Sequence, residues 1–485
     1  MALSSHVQPI QPRVLGIYLA GAMAILGFLL VCPFLVSIVA QEYLYSLIFG
    51  SLMAAFLGTG GSIWNLSGPA PGMDLTDAIV ITAAVYLVFS ILGAIPLLPL
   101  TSFVNALFEA MSGFTTTGLT IFDESTLPIT ILFYRGYMQW VGGMGIIVLS
   151  LAILLRPGKA AFKLYTAEFG EENIFGSVIT TAKVVIKVYL ALTVLGYLAY
   201  LAAGMGFFDG LVHILTTIPT GGFSVYPESI GYYQSPAISM TVSLFMLLGA
   251  ISFPLYYISL QNGLGHFFKD NQVRGLLAIT LIASLIFFVS LGPGLNSLVP
   301  GIFQTVTSIT TTGYNTIPNE PLSEANKLVT IALMIIGGGT GSTAGGIKVF
   351  RLLVLIAFVR VMFLRAILPR EAKIPLGFIE GLEVTVGEAE SIAAFFVAYL
   401  GVMFFSTLGV MWIDGFGLTN ALFEVASAEG TVGLSVGVTS PQLSWGSKLI
   451  LTLNMWLGRL EIIPVLVAMY PPIWFKLRDR NSSPK

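Results

Sequence analysis

The chain has 485 residues, of which 56% are apolar and only 9% are charged, and its formal net charge is −2. This composition excludes a soluble globular domain, and the near-neutral charge gives no indication of a nucleic acid or a strongly acidic partner. Cys32 is the single cysteine, so a disulfide within the chain and a cysteine-based metal cluster are both excluded.

The first apolar stretch, residues 14–40, carries no charged side chain and is long enough to cross the hydrocarbon core of a bilayer. A cleaved signal peptide is the competing interpretation. It is disfavoured because the stretch is too long and no small-residue cleavage site follows it. Further apolar stretches predict membrane spans along the chain, at residues 13–40, 44–66, 77–100, 130–155, 182–204, 236–261, 275–297, 325–366, 390–412 and 447–475.

Four shorter apolar segments are too brief to cross a membrane and predict half-helices of re-entrant loops, at 103–114, 208–218, 299–309 and 418–427. Each segment carries a polar residue, and a glycine follows nine residues after that polar residue. The pairs are Glu109 and Gly118, His213 and Gly222, Gln304 and Gly313, and Glu424 and Gly433. Close helix packing is the ordinary role of glycine in membrane proteins, but it does not explain four copies in one register.

The residues around these glycines predict a cation filter. Four re-entrant loops can place backbone carbonyls in one ring, which is how a potassium filter replaces the water shell of the ion, and glycine permits the left-handed backbone angles that this needs. The Thr-Val-Gly-Leu of the fourth copy is close to the filter sequence of tetrameric potassium channels. The predicted K⁺ ligands are Thr116, Thr117, Gly118, Thr220, Gly221, Gly222, Thr311, Thr312, Gly313, Thr431, Val432 and Gly433.

The aligned polar residues of the half-helices have two interpretations. Glu109, His213, Gln304 and Glu424 either hydrogen-bond to brace the half-helices against their neighbours or are simply solvated at the outer mouth. The shared register favours bracing. His213 is not a candidate metal ligand, because the other two histidines lie elsewhere in the chain.

The span at 325–366 is interrupted by a glycine-rich stretch from Gly337 to Gly346. A phosphate-binding loop is disfavoured, because the Gly-Lys-Ser/Thr spacing is missing. Non-helical backbone inside a membrane must be buried in protein or line a wet cavity, so a movable gate below the filter is the first interpretation and a rigid kink the second. The predicted gate residues are Gly337, Gly338, Gly339, Gly341, Ser342, Thr343, Gly345, Gly346, Lys348 and Arg459.

Arg459 falls in the middle of the last predicted span, where an isolated charge costs roughly 2.5–3.5 kcal/mol. It is expected to face the pore or to pair with an acid, for which Glu429 is a candidate.

The basic residues predict the orientation of the chain. Segments 156–187, 262–274, 351–373 and 476–485, together with Arg13, hold 17 of the 22 lysines and arginines. Because basic loops stay on the cytoplasmic side, both termini are expected in the cytoplasm, and all four glycine-containing loops enter from the outside.

Over essentially its full length, the chain resembles the TrkH/KtrB superfamily of potassium transporters. The four Thr-x-Gly copies match the filter of that family, residues 341–348 resemble its loop in the third unit, and residues 456–461 resemble its signature in the last helix. The two extra spans within 13–66 point to the TrkH branch. Leu119, Phe223 and Leu434 stand where channels have tyrosine, so the filter is expected to be less strict than that of a channel.

The resemblance implies an all-α integral membrane fold, in which four covalently joined helix–pore-loop–helix repeats surround a pseudo-fourfold pore. The implied divisions are residues 1–70 for two N-terminal helices, 71–165, 166–265 and 266–375 for the first three units, with a gate loop at 337–347, and 376–485 for the fourth unit.

The implied function is potassium uptake across the cytoplasmic (inner) membrane, and not enzymatic catalysis. K⁺ occupies the filter, and no covalently bound cofactor is expected. The intramembrane loop, an arginine that projects into the pore and a TrkA-like cytosolic nucleotide-binding subunit are implied to regulate passage, and the protein is expected to be a homodimer. The alternatives are a sodium-dependent Ktr-type potassium transporter and, from another class, a secondary transporter of organic solutes, which also has broken helices and internal repeats.

Overall fold

The computed structural model describes residues 10–67, 74–154, 178–263, 265–292, 294–369, 378–379, 382–383 and 386–474. Within these residues the regular structure is helical, apart from one antiparallel pair of two-residue strands, β1 (Phe378–Ile379) and β2 (Leu382–Glu383). The all-helical class predicted from the sequence is therefore confirmed. Both chain ends and most of the basic segment at 156–187 lie outside the described residues.

The predicted spans and half-helices correspond to a series of described α-helices. In chain order these are α1 (Pro12–Leu29), α2 (Val31–Val39), α3 (Tyr43–Leu66), α4 (Leu75–Gly93), α5 (Phe103–Phe114), α6 (Ile129–Leu154), α7 (Val178–Ala202), α8 (Phe207–Thr217), α9 (Pro236–Gly249), α10 (Phe253–Asn262), α11 (Gly265–Lys269), α12 (Asn271–Ser290), α13 (Leu295–Ile309), α14 (Glu324–Ile336), α15 (Val349–Ile367), α16 (Val386–Asp414), α17 (Leu418–Glu429), α18 (Trp445–Arg459) and α19 (Ile463–Met469).

Six spans among the described residues are long and apolar enough to cross a membrane, and two bent helix pairs raise this number to eight. Large apolar side chains on these helices are exposed, for example Leu47 at 72%, Phe405 at 72% and Trp412 at 92%. Exposed apolar surface of this kind suits contact with lipid rather than water. The chain is therefore a multi-pass membrane protein.

Two of the predicted spans are not continuous helices, which corrects the expectation from the sequence. The span at 236–261 is broken between α9 and α10 with a bend of 89°, and the span at 447–475 is broken between α18 and α19 with a bend of 117°. Pro254 and Pro464 lie in the first turn of α10 and α19. Proline has no N–H to continue a preceding helix but is well accommodated at the start of a new one.

The four predicted half-helices are confirmed as α5, α8, α13 and α17, and they lie inside the helix bundle. The helix that follows each half-helix packs against the half-helix of the next unit: α6 against α8, α9 against α13 and α14 against α17, while α18 closes the circle against α5. The bundle thereby places the ends of the four half-helices around one common axis.

Candidate functional site

The segments after the four half-helices share one unusual backbone conformation. A threonine two or three residues after the end of each half-helix has a left-handed φ, and so does the glycine two residues later. The φ values are 56° and 91° for Thr116 and Gly118, 54° and 78° for Thr220 and Gly222, 54° and 87° for Thr311 and Gly313, and 50° and 94° for Thr431 and Gly433. Left-handed angles at every second residue turn successive carbonyls towards one side, whereas an ordinary strand alternates them.

These four segments, called here the ring strands (115–119, 219–223, 310–314 and 430–434), close into a ring. A Cβ built on each glycine would overlap the carbonyl oxygen that precedes the glycine of the next unit. The overlapped oxygens belong to Gly221 for Gly118, to Thr312 for Gly222, to Val432 for Gly313 and to Thr117 for Gly433. The structure thus brings together the four glycines predicted from the sequence, called here the ring glycines, and the four residues whose oxygens are the ring carbonyls.

The aligned polar residues of the half-helices are fully buried and hydrogen-bonded, so bracing is confirmed and solvation at the mouth is wrong. The partners lie mainly in the segment that leaves the ring within the same unit. Glu109 accepts from the backbone N–H of Ile121 (3.2 Å), His213 Nε2 bonds to Ser224 Oγ (3.0 Å), Gln304 donates to Asn319 Oδ1 (2.8 Å), and Glu424 accepts from the N–H of Thr439 (2.9 Å). Each bond ties a half-helix to the segment that follows its own ring strand.

Arg135 of α6 adds a buried ionic network between the first and second units that the sequence did not predict. Its Nε donates to Glu109 at 2.8 Å and its Nη2 to Glu124 at 3.3 Å. The guanidinium also lies over the ring of Phe223, with Cζ 4.2 Å from the ring centroid. Removing one member of such a network leaves an uncompensated buried charge, which costs roughly 3–5 kcal/mol.

The glycine-rich break predicted at 337–346 is confirmed: α14 ends at Ile336 and α15 begins at Val349. The connecting residues 337–348, called here the cover loop, fold back on themselves, since Ile347 N–H donates to Ile335 O and Val349 N–H to Gly338 O, both at 2.8 Å. All the predicted gate residues other than Arg459 lie in this loop. Gly337, Gly341 and Gly346 have left-handed φ values of 72°, 75° and 73°.

The cover loop lies against the deep end of the ring, where the half-helices stop. The N–H of Gly345 donates to Thr311 Oγ1 at 2.7 Å, and Thr343 Oγ1 donates to Ile218 O at 2.7 Å. A Cβ on Gly345 would overlap the carbonyl oxygen of Gly430. The loop therefore contacts the second, third and fourth units directly.

Arg459 connects the cover loop with the first unit. Its Nη1 donates to Thr116 Oγ1 and to the carbonyl oxygen of Thr343, both at 3.2 Å, and its Nε donates to Tyr86 Oη at 3.2 Å. The residue lies at the last position of α18, directly before the 117° bend. The mid-span position expected for Arg459 therefore corresponds to a break between two helices.

The pairing of Arg459 with Glu429 that the sequence allowed is not formed. The Glu429 carboxylate is buried, and neither of its oxygens has a hydrogen-bond partner among the described residues. Glu461, two residues after Arg459, forms an ion pair with Arg351 of α15 instead. This pair joins the helix that follows the cover loop to the bend that follows α18.

Arg135, Gln139 and Tyr86 are the site residues that the sequence analysis missed. Gln139 lies behind the second ring strand and donates to the carbonyl oxygen of Gly221 at 2.7 Å. The sequence offered two signals for Gln139: a glutamine inside a long apolar stretch, and a glycine at 221 where the other units have threonine or valine. The structure shows that this glutamine is fully buried.

A helical bundle with four inward half-helices and a closed ring of backbone carbonyls defines a membrane protein built for cation passage. Known proteins agree with this class. The family described as TrkH, cation transport protein, matches residues 46–291 and 289–472. The chain belongs to this family, whose members are cation transporters and not enzymes.

Individual relatives match over nearly the whole chain. An uncharacterised cation transporter of Methanocaldococcus jannaschii is 32% identical, with 94% of this chain and 95% of the relative covered. The Trk system potassium uptake protein TrkH of Halomonas elongata is also 32% identical, with 96% and 98% covered. The crystal structure of the potassium transporter TrkH from Vibrio parahaemolyticus is similar with a TM-score of 0.85 and 28% identity, over 96% of this chain and 100% of that one.

Proposed function

We propose that this protein takes up potassium through the ring formed by Gly118, Gly222, Gly313 and Gly433. The observation that carries the proposal is the closed ring of four glycine–carbonyl contacts with repeated left-handed backbone angles. Carbonyl oxygens held in this way can replace the hydration shell of a K⁺ ion. The C-terminal ends of the four half-helices point at the ring, and their partial negative charge stabilises a dehydrated cation.

The cover loop is the proposed gate below this filter. It directly contacts the third and fourth ring strands and Ile218, the residue before the second, and it reaches the first ring strand through Arg459. It therefore lies across the path of an ion that leaves the deep end of the ring. Arg459 adds a positive charge at this point, which raises the energy of a passing cation. Movement of the loop and of Arg459 away from the ring would open the path.

The orientation and the partner of the protein are parts of the same proposal. The basic segments at 156–187 and 351–373 favour a cytoplasmic location for the loops that hold them, with both termini inside and the ring strands reached from outside. These loops are long enough to dock a TrkA-like nucleotide-binding subunit beneath a membrane homodimer. Co-purification from native membranes followed by mass spectrometry tests this, and a consistently isolated monomer would count against it.

Cation flux into liposomes that contain the purified protein tests the transport function. We expect K⁺ to enter faster than Na⁺ along equal gradients, without a need for Na⁺ on either side. Potassium flux that depends on Na⁺ would favour the sodium-coupled alternative. Equal entry of both ions, or of neither, would exclude the proposed selectivity filter.

A further inference from the structure

Gln139 of α6 reaches from the first unit to the second ring strand and is fully buried. Its Nε2 donates to the carbonyl oxygen of Gly221 at 2.7 Å. Its Oε1 accepts from the backbone N–H of Phe223 at 3.1 Å. One amide group therefore holds the backbone on both sides of the ring glycine Gly222, across 82 and 84 residues of sequence.

The side chain of Gln139 also fills the space that a side chain at position 221 would take. A Cβ built on Gly221 would lie 2.5 Å from Gln139 Oε1 and 2.9 Å from Nε2, which is closer than real Cβ atoms approach. At the equivalent position, the other units carry Thr117, Thr312 and Val432. The second unit is the one whose ring strand has no side chain of its own at this position.

The first and third ring strands are supported from within their own units. Thr117 Oγ1 and Thr115 Oγ1 are hydrogen-bonded at 2.8 Å, and so are Thr312 Oγ1 and Thr310 Oγ1. In the second unit, Pro219 and Gly221 occupy these two positions, and neither side chain has a hydroxyl. The support that two hydroxyls give in the first and third units is supplied here by an amide from a neighbouring unit.

The Gly221 oxygen differs in its bonding from the other ring carbonyls. Among the hydrogen bonds of the described residues, it accepts one from a side chain, whereas none reaches the oxygens of Thr117, Thr312 or Val432. A carbonyl has two lone pairs, so the Gln139 bond occupies one, fixes the direction of the group and leaves the other for a cation. It also withdraws electron density, which weakens the attraction of this carbonyl for an ion.

We propose that Gln139 is a specificity-determining positioning residue, which holds the Gly221 carbonyl in the ring in place of the side chain missing at position 221. The proposal rests on the proposed function, because it takes the ring to be the ion filter. It makes Gln139 and Gly221 one coupled pair: each residue requires the other, and exchanging both together restores a side chain at position 221, as the other three units have at the equivalent position.

Four variants test the coupling: Gln139→Leu, Gln139→Ala, Gly221→Thr and the double variant Gln139→Ala with Gly221→Thr. Potassium and sodium fluxes into liposomes give the K⁺/Na⁺ permeability ratio, and thermal unfolding in detergent reports folding. Gln139→Leu removes two hydrogen bonds, so we expect the ratio to fall about tenfold, since two bonds of about 1 kcal/mol each exceed the 1.36 kcal/mol of one decade. Gly221→Thr is expected to lower K⁺ flux, because its side chain collides with Gln139.

The double variant is expected to recover most of the lost permeability ratio, because the threonine at position 221 occupies the space that the Gln139→Ala exchange leaves empty. Recovery of this kind would show a coupling energy between positions 139 and 221, because two independent defects would add in the double variant. Trp140→Phe is the matched control: it removes one hydrogen bond, from Nε1 to Thr193 Oγ1 at 3.3 Å, on the same helix. The control is expected to leave the ratio unchanged.

Two results would overturn the inference: a Gln139→Leu protein with the wild-type ratio, or a double variant that is no better than the worse single variant. If Gln139→Leu does not fold, the comparison of Gly221→Thr with the double variant still decides. A wild-type protein without preference for K⁺ would overturn the proposed function itself. A selective wild-type protein that is insensitive to these exchanges would overturn only the role of Gln139.

Discussion

The ring strands and the cover loop meet at the deep end of the ring, but they are held in different ways. Each ring glycine contacts the backbone of the next strand, and each half-helix is tied by a buried polar side chain to the segment that follows its own strand. The cover loop occurs once. It contacts the ring through single hydrogen bonds, such as that from Gly345 N–H to Thr311 Oγ1, and through one close backbone approach, of Gly345 to the carbonyl of Gly430.

In the proposed function, this difference separates the part of the molecule that selects the ion from the part that moves. Backbone packed against backbone around a closed ring cannot shift at one strand without disturbing the next. A net hydrogen bond is worth about 1 kcal/mol, so a few of them can be released by a modest input of binding energy. The four ring strands are thus suited to holding a fixed geometry, and the cover loop is suited to changing its position.

The largest effect is expected from a serine at a ring glycine. In Gly222→Ser and Gly313→Ser the new Cβ overlaps the carbonyl oxygen of Thr312 or Val432, and the left-handed backbone adds roughly 1–2 kcal/mol of strain. We expect K⁺ flux to fall by more than about tenfold, or Na⁺ to be admitted. Flux of both ions into liposomes measures this.

Gly58→Ser in α3 is the control for these variants, because nothing lies within 4 Å of a Cβ at that position. It should transport like the wild type. Unchanged selectivity in serine variants of all four ring glycines would show that the ring does not select ions, and the contrast with the cover loop would then lose its basis.

The next largest effect is expected from shortening the cover loop. Deletion of residues 339–345 removes the bonds to Thr311 and Ile218 and is expected to raise basal K⁺ flux. Thr343→Val is the finer version, because it removes one donor worth about 1 kcal/mol, which corresponds to roughly a fivefold change in the open population. A folded deletion variant with normal or reduced flux would instead favour a rigid kink.

A further test, in which flux is again expected to rise, concerns the charge of Arg459. Two like charges about 4 Å apart repel by roughly 4 kcal/mol at an effective dielectric of 20, so Arg459→Gln and Arg459→Ala are expected to increase K⁺ conductance. Arg459→Lys retains the charge and serves as the control. Thermal stability should change little, because several of the bonds of Arg459 go to neutral groups of Thr116, Thr343 and Tyr86. A less stable protein with lower flux would assign Arg459 a structural role.

The smallest effect is expected from the ion pair between Arg351 and Glu461. Their side chains are 24% and 31% exposed, so solvent screens the pair and Glu461→Gln should cost about 1 kcal/mol or less. Thermal unfolding at low and high salt measures this, with Arg351→Met and the double variant completing the cycle. A loss as large as that expected for a buried pair would mean that the pair fixes the bend after α18, and the region below the ring would then be more rigid than the comparison implies.

The local pattern of the chain was sufficient for the features that repeat. Four short apolar segments, each with a glycine nine residues after a polar residue, predicted the half-helices and the residues that meet in the ring. The glycine-rich interruption predicted the cover loop within a residue or two. These predictions succeed because helix length, glycine conformation and apolar periodicity are properties of neighbouring residues.

The sequence analysis missed the bends between α9 and α10 and between α18 and α19, because it relied on hydropathy. Residues 236–261 and 447–475 are each apolar on average, and hydropathy does not distinguish a straight helix from two helices at a large angle. Pro254 and Pro464 were available as signals, since proline starts helices more readily than it continues them. The surroundings of Arg459 were missed through the same omission: because α18 stops at Arg459, its side chain lies beside the ring and donates to Thr116 Oγ1.

By itself, the sequence determined that this chain crosses a membrane, carries four matched re-entrant segments and interrupts one helix with glycine. Only the tertiary structure decided which unit lies beside which, that the ring closes from the fourth strand to the first, and that Gln139 and Arg135 of the first unit serve the second. The reason is physical: periodicity and conformational preference act between near neighbours in the chain. Contacts such as Gln139 with Gly221 join residues 82 positions apart and exist only once the bundle has closed.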